Sequence, residues 1–97
     1  RIANRRLGQL MLAFGRYDEA RRFLEAAHRV QTDGRGERLL LGEIRAGDGD
    51  IASAAEVWRD LPDLWQALTH RVNWYIYFAK DDVRAERLRL AGSMAGE

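Results

Sequence analysis

The sequence predicts an all-α chain of three antiparallel helical hairpins stacked as a short solenoid. Three observations carry this. Apolar residues recur at spacings of three and four along nearly the whole chain. Short turns, most of them rich in Gly and Asp, interrupt that rhythm. One stretch also occurs twice: residues 7–20 read LGQLMLAFGRYDEA and residues 41–54 read LGEIRAGDGDIASA, at a constant offset of 34 with no gap.

Ile2, Leu7, Leu10, Met11 and Phe14 form the apolar face of a first helix, which Gly15 and Arg16 interrupt. Tyr17, Ala20, Phe23, Leu24, Ala27 and Val30 resume the rhythm. Asp18 and Glu19 stand in that helix's first turn, where the helix dipole favours negative charge. The stretch QTDGRG at 31–36 reads as a turn. Leu40, Leu41 and Ile44 carry a third helix up to the turn AGDGD at 46–50. Asp50 is then placed to cap a fourth helix bearing Ile51, Ala54, Val57, Trp58 and Leu61. Pro62 stops that helix and suits the first turn of the next. Leu64, Trp65, Leu68, Val72, Tyr75, Ile76 and Ala79 mark a fifth helix. Asp81 and Asp82 mark a turn and cap, and Val83, Leu88 and Leu90 open a sixth helix. Only VNWYIYFA at 72–79 favours a strand on propensity, and its helical neighbours outweigh it.

A third, worn copy is VNWYIYFAKDDVRA at 72–85, offset by 31 from the second, so the link around Pro62 has lost about one helical turn. The repeats fall at about 1–34, 35–65 and 66–94, within a single domain spanning 1–97. A 34-residue unit of two helices resembles the tetratricopeptide repeat. That family prefers a large residue at position 4, Leu-Gly at 7 and 8, aromatics at 11 and 24, Ala at 20 and 27, and Pro at 32. Leu7, Gly8, Tyr17, Ala20 and Ala27 match in the first unit, and Leu41, Gly42, Ala54 and Trp58 in the second. Asn4 and Arg38 depart from the pattern at position 4, Arg45 at position 11, and Thr32 at the closing proline. The resemblance implies a right-handed stack. Small residues (Gly8, Ala20, Gly42, Ala54) lie where helices cross, and Phe14, Phe23 and Trp58 fill the space beside the crossings.

Composition narrows the function. Net charge is +1, with 46% apolar and 32% charged residues, as in an ordinary folded domain. That balance lacks the basic excess of a general nucleic-acid binder, and Arg1, Arg5, Arg6, Arg21 and Arg22 read as a solvated face. No cysteine is present, so disulfides and thiolate metal sites are excluded. The longest apolar run is far below the roughly 20 residues that span a bilayer. The chain begins at Arg1 rather than Met, which suggests a fragment of a longer protein.

His28 and His70 lie on different segments without carboxylates at metal spacing. DGD at 48–50 lacks the remaining ligands of a calcium loop, and Asp81–Asp82 reads as a cap rather than a carboxylate dyad. With no phosphate loop and no nucleophile motif, the expectation is no enzyme, no metal and no cofactor. The resemblance places the concave surface at Arg5, Gln9 and Leu12, then Leu39 and Glu43, then His70, Trp74 and Tyr77. The last three are expected as an exposed aromatic patch. The Lys–Asn clamp that some relatives use for peptide C-termini is absent, with Arg5 and Gln9 in its place. The leading expectation is a non-catalytic protein–protein interaction module. Its partner is a peptide, a neighbouring domain of its own full-length chain or a second copy, with no direct nucleic-acid contact. The rivals are a structural accessory or stalk domain of a bacterial membrane protein of polysaccharide assembly, and an effector- or nucleic-acid-linked regulatory domain. Compartment is left open.

Overall fold

Left-handed residues close all three hairpins at equivalent places. A computed structural model of the chain describes residues 2–30 and 34–96, without the side chain of Ile2. Arg1, residues 31–33 of the expected turn (with Thr32) and Glu97 lie outside the described residues. Within these limits the chain is all-helical. The first hairpin is α1 (Ile2–Ala13) and α2 (Tyr17–Val30), and the second is α3 (Arg35–Gly47) and α4 (Ile51–Trp58). The third is α5 (Leu64–Asn73), continued by a π-helical turn (Trp74–Phe78), and α6 (Asp82–Ala95).

Gly15 (φ 75°) and Gly49 (φ 97°) turn the first two hairpins, a conformation glycine adopts without a Cβ penalty. The Arg16 N–H donates to the Met11 carbonyl at 2.8 Å and the Asp50 N–H to the Arg45 carbonyl at 2.9 Å, the same helix-end pairing in both. In the third hairpin Lys80 takes the left-handed place at φ 57°. There the Asp81 N–H reaches one residue further back, to the Tyr75 carbonyl at 2.8 Å. The π turn holds the additional residue, with the Ala79 N–H donating to the Trp74 carbonyl at 2.9 Å. Asp81 caps α6 by accepting from the Arg84 N–H at 3.0 Å.

Two of the departures from the repeat pattern, Arg38 and Arg45, form polar clasps. Arg38 donates to the Val57 and Arg59 carbonyls at 2.8 and 2.7 Å, which satisfies the C-terminal end of α4. Arg45 forms a two-pronged pair with Glu25 at 2.9 and 2.7 Å, joining α3 to α2. Asp50 stands at the N-cap of α4 without a side-chain capping bond. It pairs with Arg21 at 2.7 Å instead, and Arg21 also reaches Asp48 at 3.1 Å. Arg84 holds the other side of Asp48 at 3.0 Å, and its guanidinium lies 3.6 Å over the Tyr17 ring.

The third hairpin does not simply extend the row. α6, rather than α5, packs against both α3 and α4, and α5 packs on α6. One core joins Trp58, Leu64, Leu68, Tyr75, Ala85, Leu88 and Ala91, and a smaller one joins Leu12, Ala20, Leu24, Leu41 and Ile44. With α6 folded across the second hairpin, the radius of gyration is 12.0 Å, close to the ~12.5 Å of a globular chain this long. Several expected core residues lie outside: Leu7, Leu10, Phe14, Val30, Trp65, Val83 and Leu90 are all exposed. Trp65 is half-covered, its ring lying against Gly92 of α6; the others sit on terminal or outward faces. α4 ends at Trp58, so Leu61 and Pro62 belong to the link. Two left-handed residues, Asp60 and Asp63, flank that link, and Pro62 precedes α5 rather than entering it.

Gly42 shows why the crossing needs a small residue: a Cβ there would lie 2.0 Å from the Trp58 indole nitrogen. Trp58 is fully buried. Trp58→Ala is expected to cost about 3–5 kcal/mol, and Gly42→Ala about 1–3 kcal/mol through overpacking. At Gly36 a Cβ meets only the movable guanidinium of Arg5, so Gly36→Ala should leave stability unchanged or raise it by up to about 1 kcal/mol. Urea unfolding of the three variants tests these signs; an equal loss at Gly36 and Gly42 contradicts the packing described.

The Arg45 hydrogen bonds hold the Glu25 carboxyl below its ordinary value of 4.5. A lowered folded pKa contributes stability above the unfolded value and loses it as the pH falls through the folded one. Urea midpoints are therefore expected to fall below about pH 4.5, and Glu25→Gln should flatten that acid limb. An unchanged acid limb in the variant rules the clasp out as its source.

Candidate functional site

One face of α1, one of α3 and one of α5 enclose a recess. On α1, Arg5, Gln9 and Leu12 follow the spacing that keeps side chains on one side of a helix. Leu39, Leu40 and Glu43 do the same on α3, and Ala67, Leu68, Arg71 and Trp74 on α5 and its π continuation. A hollow of about 220 Å³ is lined by Arg5, Gln9, Leu39, Leu40, Glu43 and Arg71, among others. A second of about 200 Å³ is lined by Gln9, Leu12, Ala13, Leu40, Arg71 and Trp74. Gln9, Leu40 and Arg71 border both, so the two hollows adjoin. Leu39, Leu40, Leu12 and Leu68 make the walls mainly apolar.

The recess rests on a buried carboxylate. Glu43 is 2% exposed. It accepts two bonds from Arg71, from Nε and Nη2 at 2.8 Å each, and one from the Tyr75 hydroxyl at 2.7 Å. A carboxylate so deep is stable only with such partners. Burial pushes the Tyr75 phenol well above its usual value, so it stays a neutral donor. The Arg71 guanidinium lies 4.8 Å from the centre of the Trp74 ring and 5.7 Å from that of Tyr75. At the other end Arg5 is half-exposed and meets Glu37 at 3.4 Å, a long contact of little energetic weight.

Six of the eight residues expected on the concave surface line this recess: Arg5, Gln9, Leu12, Leu39, Glu43 and Trp74. Two corrections concern depth. Leu12 and Glu43 are buried rather than presented to solvent, because each faces a neighbouring hairpin as well as the recess. Two more concern place. His70 lies in a separate shallow surface with Arg35, Asp63 and Gln66. Tyr77 is 71% exposed but borders neither hollow. The expected patch of His70, Trp74 and Tyr77 therefore does not form. The π turn widens the helix, so the residue three beyond Trp74 no longer shares its face. The aromatic neighbours of Trp74 are Tyr75, edge-on at 4.9 Å, and Phe78, at 5.5 Å.

Sequence reasoning missed Arg71 and Leu40 as recess residues and took Tyr75 for simple core. The available signal was the pair Arg71 and Tyr75, one helical turn apart, facing an isolated Glu on a leucine-rich helix. Among the described residues, no group of three or more His, Cys, Asp or Glu is placed to hold a metal ion, and no helix is long and apolar enough to cross a membrane. Comparison with protein-family models, with curated proteins and with solved structures gives no match to this chain.

Glu43→Ala leaves Arg71 and Tyr75 without their acceptor. The expected loss is about 3 kcal/mol, at the low end for breaking a buried pair because Arg71 keeps some contact with water. Tyr75→Phe removes one hydrogen bond to a buried carboxylate and is expected to cost about 1.5–3 kcal/mol. A double-mutant cycle between Glu43 and Arg71 checks the coupling; additive effects would contradict it.

Proposed function

We propose that the chain is a non-catalytic protein–protein interaction module, a short right-handed tetratricopeptide-like stack that holds a peptide between α1, α3 and α5. The observation that carries this reading is the pair of separate, adjoining apolar hollows that share Gln9, Leu40 and Arg71 as a border. Each of its hollows, at about 220 and 200 Å³, is smaller than the roughly 300–1,000 Å³ of a small-molecule site. Two small, adjoining apolar hollows suit successive side chains of a peptide better than one compact ligand. Trp74 and the arginines at the recess are residue types that commonly anchor a bound partner.

The charges give the peptide a direction. Arg71 is already neutralised by Glu43, whereas Arg5 is half-exposed and only loosely paired. A peptide with two apolar side chains, and an acidic residue on the Arg5 side, complements the site. The non-catalytic reading draws support from Glu43, whose buried carboxylate is fully engaged by Arg71 and Tyr75.

Selection from a displayed random-peptide library tests the reading. Apolar peptides with an acidic flank are expected, with affinities in the micromolar range. Gln9→Trp fills the recess without burying a charge and should reduce binding at least tenfold at unchanged helical content. Tyr77→Ser, outside the recess, should leave it unaltered. Failure to enrich any peptide, or equal binding by Gln9→Trp, overturns the proposal.

A further inference from the structure

We infer that the outer face of α1 is a seam that seats another helical hairpin of the same design. Leu7, Leu10 and Phe14 are 39%, 48% and 68% exposed, and their spacing of three and four places them on one side of α1. At 100° per residue this side lies nearly opposite Arg5, Gln9 and Leu12, so it is separate from the recess. A contiguous apolar stripe of this kind on a small domain calls for a covering partner.

The internal repeat identifies the partner. The offset of 34 carries Leu7 onto Leu41 and Leu10 onto Ile44. Those two residues are completely buried, in one cluster with Leu12, Ala20 and Leu24 of the preceding hairpin. α3 thus uses this face to sit on the hairpin before it, and α1 presents the same two positions exposed among the described residues. The occupant that fits is a helical hairpin with a leucine at the place of Leu12 and an alanine and leucine at the places of Ala20 and Leu24.

The chemistry of the two seams differs in one respect. The internal seam adds the pairs Arg45 with Glu25, and Asp48 and Asp50 with Arg21. The same offset puts Met11, Phe14 and Arg16 at the places of Arg45, Asp48 and Asp50. The outer seam is therefore more apolar. Its partner needs uncharged residues where the first hairpin carries Arg21 and Glu25.

The test adds a copy of residues 1–34 directly before Arg1 of the full chain, which preserves the period, with Arg21→Ala and Glu25→Ala in the added copy only. If the seam exists, the longer chain melts in one transition, with its midpoint raised by at least about 5 °C. Amide exchange in the original α1 slows as well. Leu7→Gln with Leu10→Gln in the original copy should abolish both effects. An unchanged midpoint, a separate low transition for the added hairpin, or a gain that survives the glutamine substitutions overturns the inference. Sedimentation of the unextended chain supplies the other arm. A monomer agrees with the inference, whereas a dimer that dissociates on Leu7→Gln and Leu10→Gln makes a second copy the occupant and overturns it.

Discussion

The buried carboxylate of Glu43 joins the two parts of the molecule that border the recess. α5 packs on α6, and α6 packs on α3 and α4, so α5 reaches the first two hairpins mainly through what its own side chains can grasp. Glu43 supplies the grip. It takes both donors of Arg71 and the hydroxyl of Tyr75, and those contacts set the distance between α3 and α5. The cost of desolvating Glu43 is offset only when all three bonds form, which makes the arrangement specific rather than merely sticky. The hollow between Leu39, Leu40 and Leu68 exists because this polar strut holds the walls apart.

The same logic runs along the opposite ridge. Arg45, Arg21, Arg84 and Arg38 occupy or flank the places where helices meet, and each ends on a carboxylate or a free carbonyl at a helix end. Arginine suits these places because its planar fork satisfies two acceptors at once while its stem lies along apolar surface. A chain with many arginines and almost no lysine thereby holds short helices together at their ends, where the backbone leaves groups unsatisfied. The apolar cores beneath are small, and the clasps fix how the hairpins are seated on them.

Much of this was legible in the sequence. The offset of 34 located Gly15 and Gly49 as equivalent turns; the third turn was read at Asp81 and Asp82, and its left-handed residue, Lys80, was not picked out because no glycine marks it. The crossing of Gly42 with Trp58 and the burial of Ala20 and Ala54 followed from the need for small residues at close approach. What was not legible depends on choices between partners. Periodicity shows that α5 and α6 each have an apolar side, but not that α6 would take the place against α3 and α4. Nor does it show that Leu7, Leu10 and Phe14 would face outward, since their spacing is that of any core stripe. The π turn escaped notice because nothing in WYIYF distinguishes it from an ordinary helical turn, and it removed Tyr77 from the expected site. Glu43 read as a surface residue because its partners lie 28 and 32 positions away.

The central claim is that a peptide occupies the recess held open by Glu43. Nitrogen-15 and carbon-13 labelled chain titrated with a selected peptide gives the most direct test by NMR. The account predicts shift changes centred on Arg5, Gln9, Leu39, Leu40, Arg71 and the Trp74 indole N–H, with intermolecular contacts from the peptide to Leu39 and Leu40. Changes centred instead on Leu7, Leu10 and Phe14, or on Tyr77 and Phe78, with the recess resonances unmoved, would contradict it.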